Sequence, residues 1–88
     1  MISNILLDLQ ATVNNPTFRW PVVDENTKGV IIEGYKFTLI LSDMELGVPN
    51  QVTINDADNF PIELPEHQIM CLMDWVMENV IPNYLVMN

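Results

Sequence analysis

His67 and Cys71 stand four residues apart, and Asp74 and Glu78 follow at spacings of three and four. On a helix these spacings bring the side chains onto neighbouring turns, so His67 and Cys71 can meet. Two chemistries use such residues. A cysteine nucleophile needs a thiolate-favouring environment and a site for the oxyanion. Cys71 falls in mid-helix beside Asp74, whose charge opposes a thiolate, and neither serine of the chain, Ser3 or Ser42, is near His67 in sequence. A zinc centre needs ligands that close around the ion, usually with a pair from another element. The four residues form an open helical arc without that pair.

Asp56 and Asp58 begin a second oxygen-rich stretch, Asn55 to Asn59, at the alternating positions a calcium loop uses. Phe60 and Pro61 then stand where such a loop wants another oxygen and a glycine, and no bidentate glutamate follows in place. A side-chain-capped turn is the expectation here. Gly29, Gly34 and Gly47 are isolated from one another, so no phosphate-cradling loop is present. The sequence therefore predicts no catalytic residue, no metal and no cofactor.

Charge narrows the partners further. Twelve acidic side chains face only Arg19, Lys28 and Lys36, a formal charge of -9. That field repels nucleic acid and anionic membranes and favours a basic protein surface. It also serves to keep a small apolar chain dissolved. Phe18, Trp20, Tyr35 and Phe37 alternate as a base-stacking sheet would, but alternating aromatics on strands are more often core.

The element that must carry His67, Cys71, Asp74 and Glu78 is a helix predicted over 66–81, bounded by Pro65 and Pro82. At about 100° per residue, Ile69, Leu72, Met73, Val76 and Val80 make one apolar stripe, with Met70, Met77 and Ile81 beside it. Trp75 then projects almost opposite that stripe, between His67, Asp74 and Glu78 on one edge and Gln68 and Asn79 on the other. Tryptophan is strongly enriched in binding hot spots. The alternatives are that the last residues fold back over Trp75 or that it packs inside a homodimer.

Upstream, Ile2, Ile5, Leu6, Leu9 and Val13 recur at helical spacing, with Ser3 as a cap, Asp8 and Gln10 turned outward, and Asn14-Asn15-Pro16 as the stop. Thr17 to Val23 alternates, and Pro21 restricts it to an edge strand. Asp24 to Gly29 is a polar turn in which Gly29 supplies unusual dihedrals. Val30 to Leu41 is the clearest β stretch, with a bend or bulge at Gly34. Gln51 to Asn55 is a short third strand. Phe60, Ile62 and Leu64 tether the crossing into the long helix, and Tyr84 to Met87 forms a short strand or covers that helix. The reading is one α+β domain over 1–88: a three-stranded antiparallel sheet with a short N-terminal helix and a longer C-terminal helix packed on it.

Function follows by elimination. The single cysteine, Cys71, rules out an internal disulfide framework. The opening MISNILLDLQ lacks a basic n-region, and no apolar run is long enough to span a bilayer. A reducing cytoplasm is expected, that of the host if the chain is viral. The carboxylates of Asp43, Glu45, Asp56, Asp58 and Glu63 are expected around one end of the sheet, extended by Asp74 and Glu78 beside Trp75 and Cys71. An acidic rim around an aromatic anchor suits a non-enzymatic inhibitor or modulator that binds a basic protein surface. In size and in lacking a catalytic kit the chain is similar to small phage-encoded host-interaction proteins, a likeness that carries over no motif. The alternatives are an accessory subunit or homo-oligomer, including a homodimer, and a DNA mimic whose carboxylates occupy a nucleic-acid-binding groove.

Overall fold

The computed structural model describes residues 2–24, 26–45 and 48–85. The elements are α1 (Ile2–Val13), β1 (Gly29–Glu33), β2 (Thr38–Ser42), β3 (Gln51–Asn55), α2 (Glu66–Asn79) and a short α3 (Pro82–Leu85). The sheet is antiparallel in the order β1-β2-β3. This is the α+β architecture that the patterning predicts, with α1 and the longer α2 flanking a three-stranded sheet.

Membership of the strands differs from the prediction. Residues 17–23 are not a strand: Pro21 has no donor for a ladder, and the alternation fails beyond it, with Val22 77% exposed while Val23 packs on the core. Aromatic packing holds this segment instead. Phe18 and Trp20 meet edge-to-face at 5.0 Å, and Trp20 meets Tyr84 in the same way at 6.0 Å. The single stretch expected over 30–41 is a hairpin. Ile32 lies opposite Leu39 and Val30 opposite Leu41, so four apolar side chains share the inner face. The change from even to odd numbering happens in the turn, which a period-2 reading across Gly34 misses. Val52 and Ile54 continue that face opposite Leu41 and Leu39. Ile5 and Leu9 of α1 and Leu72 and Val76 of α2 close over it, joined by Val80, Ile81 and Tyr84.

The hairpin tip is held by an acid from α1. Asp8 Oδ1 accepts the Tyr35 N–H, and Asp8 Oδ2 accepts those of Lys36 and Phe37, each at 3.0 Å. Asn15 Nδ2 adds a second tie, donating to the Tyr35 hydroxyl at 2.9 Å. Asp8 therefore turns toward the sheet, not outward, because three convergent backbone donors outweigh free hydration of one carboxylate. Gly34 is where the chain must pass close. A Cβ there would collide with Asp8 Oδ2 and lie 2.7 Å from the Phe37 carbonyl, which already accepts the Gly34 N–H at 2.8 Å.

Other local expectations shift for visible reasons. The helix begins at Ile2, so Ser3 sits exposed inside its first turn and does not cap it. Gly29 is an ordinary strand residue opposite Ser42, and among the described non-glycine residues the left-handed positions are Asp43 (φ 53°) and Asn59 (φ 66°). Of the crossing residues, Ile62 and Leu64 pack on the core while Phe60 is 67% exposed. The long helix stops at Asn79 without a glycine. The N–H groups of Val80 and Ile81 both donate to the Val76 carbonyl, and the amides of Asn79 and Asn83 donate to the carbonyls of Trp75 and Asn79. Pro82 then opens α3, a helical turn in place of the alternative of a short strand, which packs beside α2 with Tyr84 in the core; 86–88 lie outside the described residues.

The turn after residue 23 carries a pH signature. Asp24 Oδ1 accepts the Thr27 hydroxyl at 3.0 Å and the Asn26 N–H at 2.9 Å, and these bonds hold its carboxyl below the usual aspartate value. A lowered folded-state pKa means that the turn's contribution is complete above the unfolded value and is lost as pH falls through the lowered one. Thr27→Ala is expected to raise the Asp24 midpoint toward the usual value in a carboxyl NMR titration; an unmoved midpoint would refute the assignment.

Candidate partner-binding surface

The long helix meets the rest of the protein through a different face from the one its apolar residues suggest. Leu72 and Val76 are fully buried, and Gln68, Trp75 and Asn79 are half-buried on the same side. Ile69, Met70 and Met77 are exposed, Met70 by 62%, with half-buried Met73 among them. The buried arc is thus rotated by about 60° from the expected stripe, taking 3.6 residues per turn.

α1 explains the rotation. It packs beside α2 on the Trp75 side, where Gln10 Oε1 accepts the indole N–H at 2.9 Å. The indole covers more apolar area than a methionine, and its one polar atom finds a partner there. The expectation that Trp75 projects away from the core is therefore corrected: it forms the joint between the two helices. Gln10, expected outward, supplies the acceptor.

Cys71, Asp74 and Glu78 are exposed, as is His67, on the remaining side of α2. The loop carboxylates do not gather at one end of the sheet. Ser42 pairs with Gln51 and Thr38 with Asn55, so Asp43 and Glu45 leave the sheet at one end and Asp56 and Asp58 at the other, while Glu63 lies on the returning chain beside β3. Asp56 is committed locally, its Oδ1 accepting the N–H groups of Asp58 and Phe60 at 2.9 and 3.0 Å. That is the capped turn the sequence suggested. Among the described residues no three His, Cys, Asp or Glu side chains converge as a metal site, and no helix is long and apolar enough to cross a membrane.

Charge is unevenly shared along the chain. Arg19, Lys28 and Lys36 all precede β2, whereas eight of the twelve carboxylates (Asp43, Glu45, Asp56, Asp58, Glu63, Glu66, Asp74 and Glu78) follow it in sequence. β3, the crossing and α2 are built from this second part. Between β3 and α2 lies a groove of about 300 Å³, lined by Val52, Thr53, Ile54, Ile62, Glu63, Leu64, Ile69 and Leu72. Its only charged lining residue is Glu63, and through Ile69 it runs onto the exposed methionine flank.

No protein family, curated protein or solved structure matches this chain.

The residues that sequence reasoning missed are Ile69, Met70 and Met77 as a surface and Asp8 and Gln10 as internal partners. For the first group a signal exists: the apolar arc of α2 is wider than one sheet can cover, so some of it had to remain outside. For Asp8 and Gln10 there is none, because their partners lie 27–29 and 65 positions away.

Proposed function

We propose that this chain is a non-enzymatic protein-binding module whose contact surface is the exposed apolar flank of α2, and whose partner presents a basic surface. One observation carries the reading: Ile69, Met70 and Met77 stand exposed on one flank of a helix whose Leu72 and Val76 are buried, with half-buried Met73 among them. Contiguous apolar surface rimmed by polar groups marks interaction sites. Methionine suits such a site because its unbranched, polarizable side chain adapts to the surface it meets. Glu66, Asp74 and Glu78 rise from the same helix, and the flank lies wholly in the part of the chain that carries no lysine or arginine. Opposite charge on the partner would speed encounter and set orientation, while the apolar row supplies the buried area. The sequence-derived anchor thus moves from Trp75 to the neighbouring methionines, and Asp74, Glu78 and Cys71 become its border. The reading gives the chain no catalytic step and no cofactor. It is that of a small inhibitor or modulator.

The test is affinity capture from the source cell with three forms of the protein. Wild type and Ile31→Lys, altered on the far face of the sheet, are expected to retain the same partner. Met70→Lys/Met77→Lys is expected to lose it at least tenfold, with the circular dichroism spectrum unchanged. Equal capture by all three forms would overturn the surface assignment.

A further inference from the structure

Resting on the reading of the chain as a protein-binding module, we propose that the free edge of β3 accepts an extended, basic segment of the partner as a fourth strand. β3 is the last strand of the sheet. The Ile62 N–H donates to the Ile54 carbonyl at 2.8 Å from the side away from β2. Because N–H and C=O of one residue point the same way in a strand, and alternate residues repeat the direction, the groups of Val52 and Ile54 face outward. The chain's own return covers only the far end, through the Asn55–Pro61 bridge, and then diverges. Among the described residues, the Val52 N–H and C=O and the Ile54 N–H have no backbone partner.

An open edge of this kind templates another strand unless something blocks it. The usual blocks are missing: Gln51 to Asn55 holds no lysine, no proline and no charge. A strand added about 4.8 Å beyond β3 would lie over the groove between β3 and α2. Every second side chain would then drop toward Ile62, Leu64 and Ile69, which line it. From Gln51 to Ile54 the edge spans about 10 Å, enough to register about three residues of a partner. Backbone bonds would supply affinity and the groove would supply side-chain selection.

Charge decides the class of occupant. Glu63 is the only charged residue of the groove, and no lysine or arginine follows Lys36 in the chain. A second copy would bring its own charge of -9, which opposes pairing with an equally acidic molecule. A segment with apolar side chains alternating with lysine or arginine meets both requirements: the apolar residues enter the groove, and the cations are drawn by Glu63 and by the chain's charge of -9.

The probe is a blocked hexapeptide of alternating lysine and valine, titrated into the isotope-labelled protein and followed by NMR. Shifts and slowed hydrogen exchange at the Val52 and Ile54 amides are expected. A peptide N-methylated along one edge, a glutamate–valine peptide and the variant Val52→Pro are each expected to weaken binding at least tenfold. Val52→Pro removes an outward donor and leaves the bonds to β2 in place; should it fail to fold, the N-methylated peptide makes the same test. Shifts confined to the Met70 and Met77 methyl groups would overturn strand addition and leave the proposed function standing. Concentration-dependent shifts without peptide would assign the edge to a second copy and overturn the proposal. A protein that responds to the peptide at neither place overturns it as well, and if partner capture from cells also ignores the α2 flank, the proposed function falls separately.

Discussion

Gly34→Ala is expected to destabilise the protein by about 2–4 kcal/mol, a large effect for a single methyl group on a turn. An average glycine-to-alanine change in a turn of ordinary geometry would be neutral or mildly stabilising, through the unfolded state. Here the added Cβ meets two groups that cannot both retreat. One is the Phe37 carbonyl, 2.7 Å away and bonded to the Gly34 N–H; the other is Asp8 Oδ2, which holds Lys36 and Phe37. Relieving either contact breaks hydrogen bonds that fix the hairpin tip to α1. Asp8→Ala is expected to lose a comparable amount, about 2–3 kcal/mol, because bonds to an ionised acceptor are stronger than neutral ones while the exposed donors recover part of the loss from water. Asp8→Asn keeps the shape but only one acceptor oxygen, and falls between.

The pair gives a sharper reading than either substitution alone. Since Asp8 is itself one of the groups the new methyl would strike, removing it should relieve part of the Gly34→Ala defect. The double variant is therefore expected to lose at least 1 kcal/mol less than the sum of the singles in urea unfolding, well beyond the ~0.5 kcal/mol within which independent sites add. Additive losses would show that the two residues act separately and that the clash with the Phe37 carbonyl alone governs Gly34.

The same contact shows where legibility in the sequence ends. The helix over 2–13 and the long helix from 66 follow from apolar spacing and bounding prolines, although the latter stops at Asn79 and not at the expected 81, and the inner face of Val52 and Ile54 follows from alternation, because these are local patterns. The hairpin was hidden inside what reads as one long strand. Its turn, Gly34 to Phe37, contains no pair of adjacent turn formers, and the acid that stabilises it lies on α1. A turn organised by a distant side chain leaves little local trace. Residues 17–23 fail in the opposite way: the alternation of Phe18 and Trp20 is real, but it records aromatic packing against Tyr84 and not a ladder. For the candidate surface, the exposed residues were named as apolar and their helix was placed, yet which part of the arc faced inward depended on where α1 lies.

That dependence makes Trp75→Asp the most decisive substitution. On the sequence pattern alone it would alter an exposed anchor and spare the fold; with the indole wedged beside α1, it is expected to cost about 3–5 kcal/mol. Most of this is lost packing of a large aromatic, and the remainder is the cost of placing a carboxylate in the joint. A chain of this length holds about 4–13 kcal/mol in all, so cooperative unfolding should be abolished or shifted to far lower urea. Trp75→Phe separates the parts: it keeps most of the apolar area and leaves Gln10 Oε1 without its donor, a loss of about 1 kcal/mol. Met77→Asp is the matched control on the exposed flank, and a change of no more than about 0.5–1 kcal/mol is expected there. The order of the two aspartate variants in urea unfolding reports the rotation of α2 directly. If Met77→Asp unfolds the protein and Trp75→Asp does not, the helix buries the methionine side, and the binding surface returns to the tryptophan.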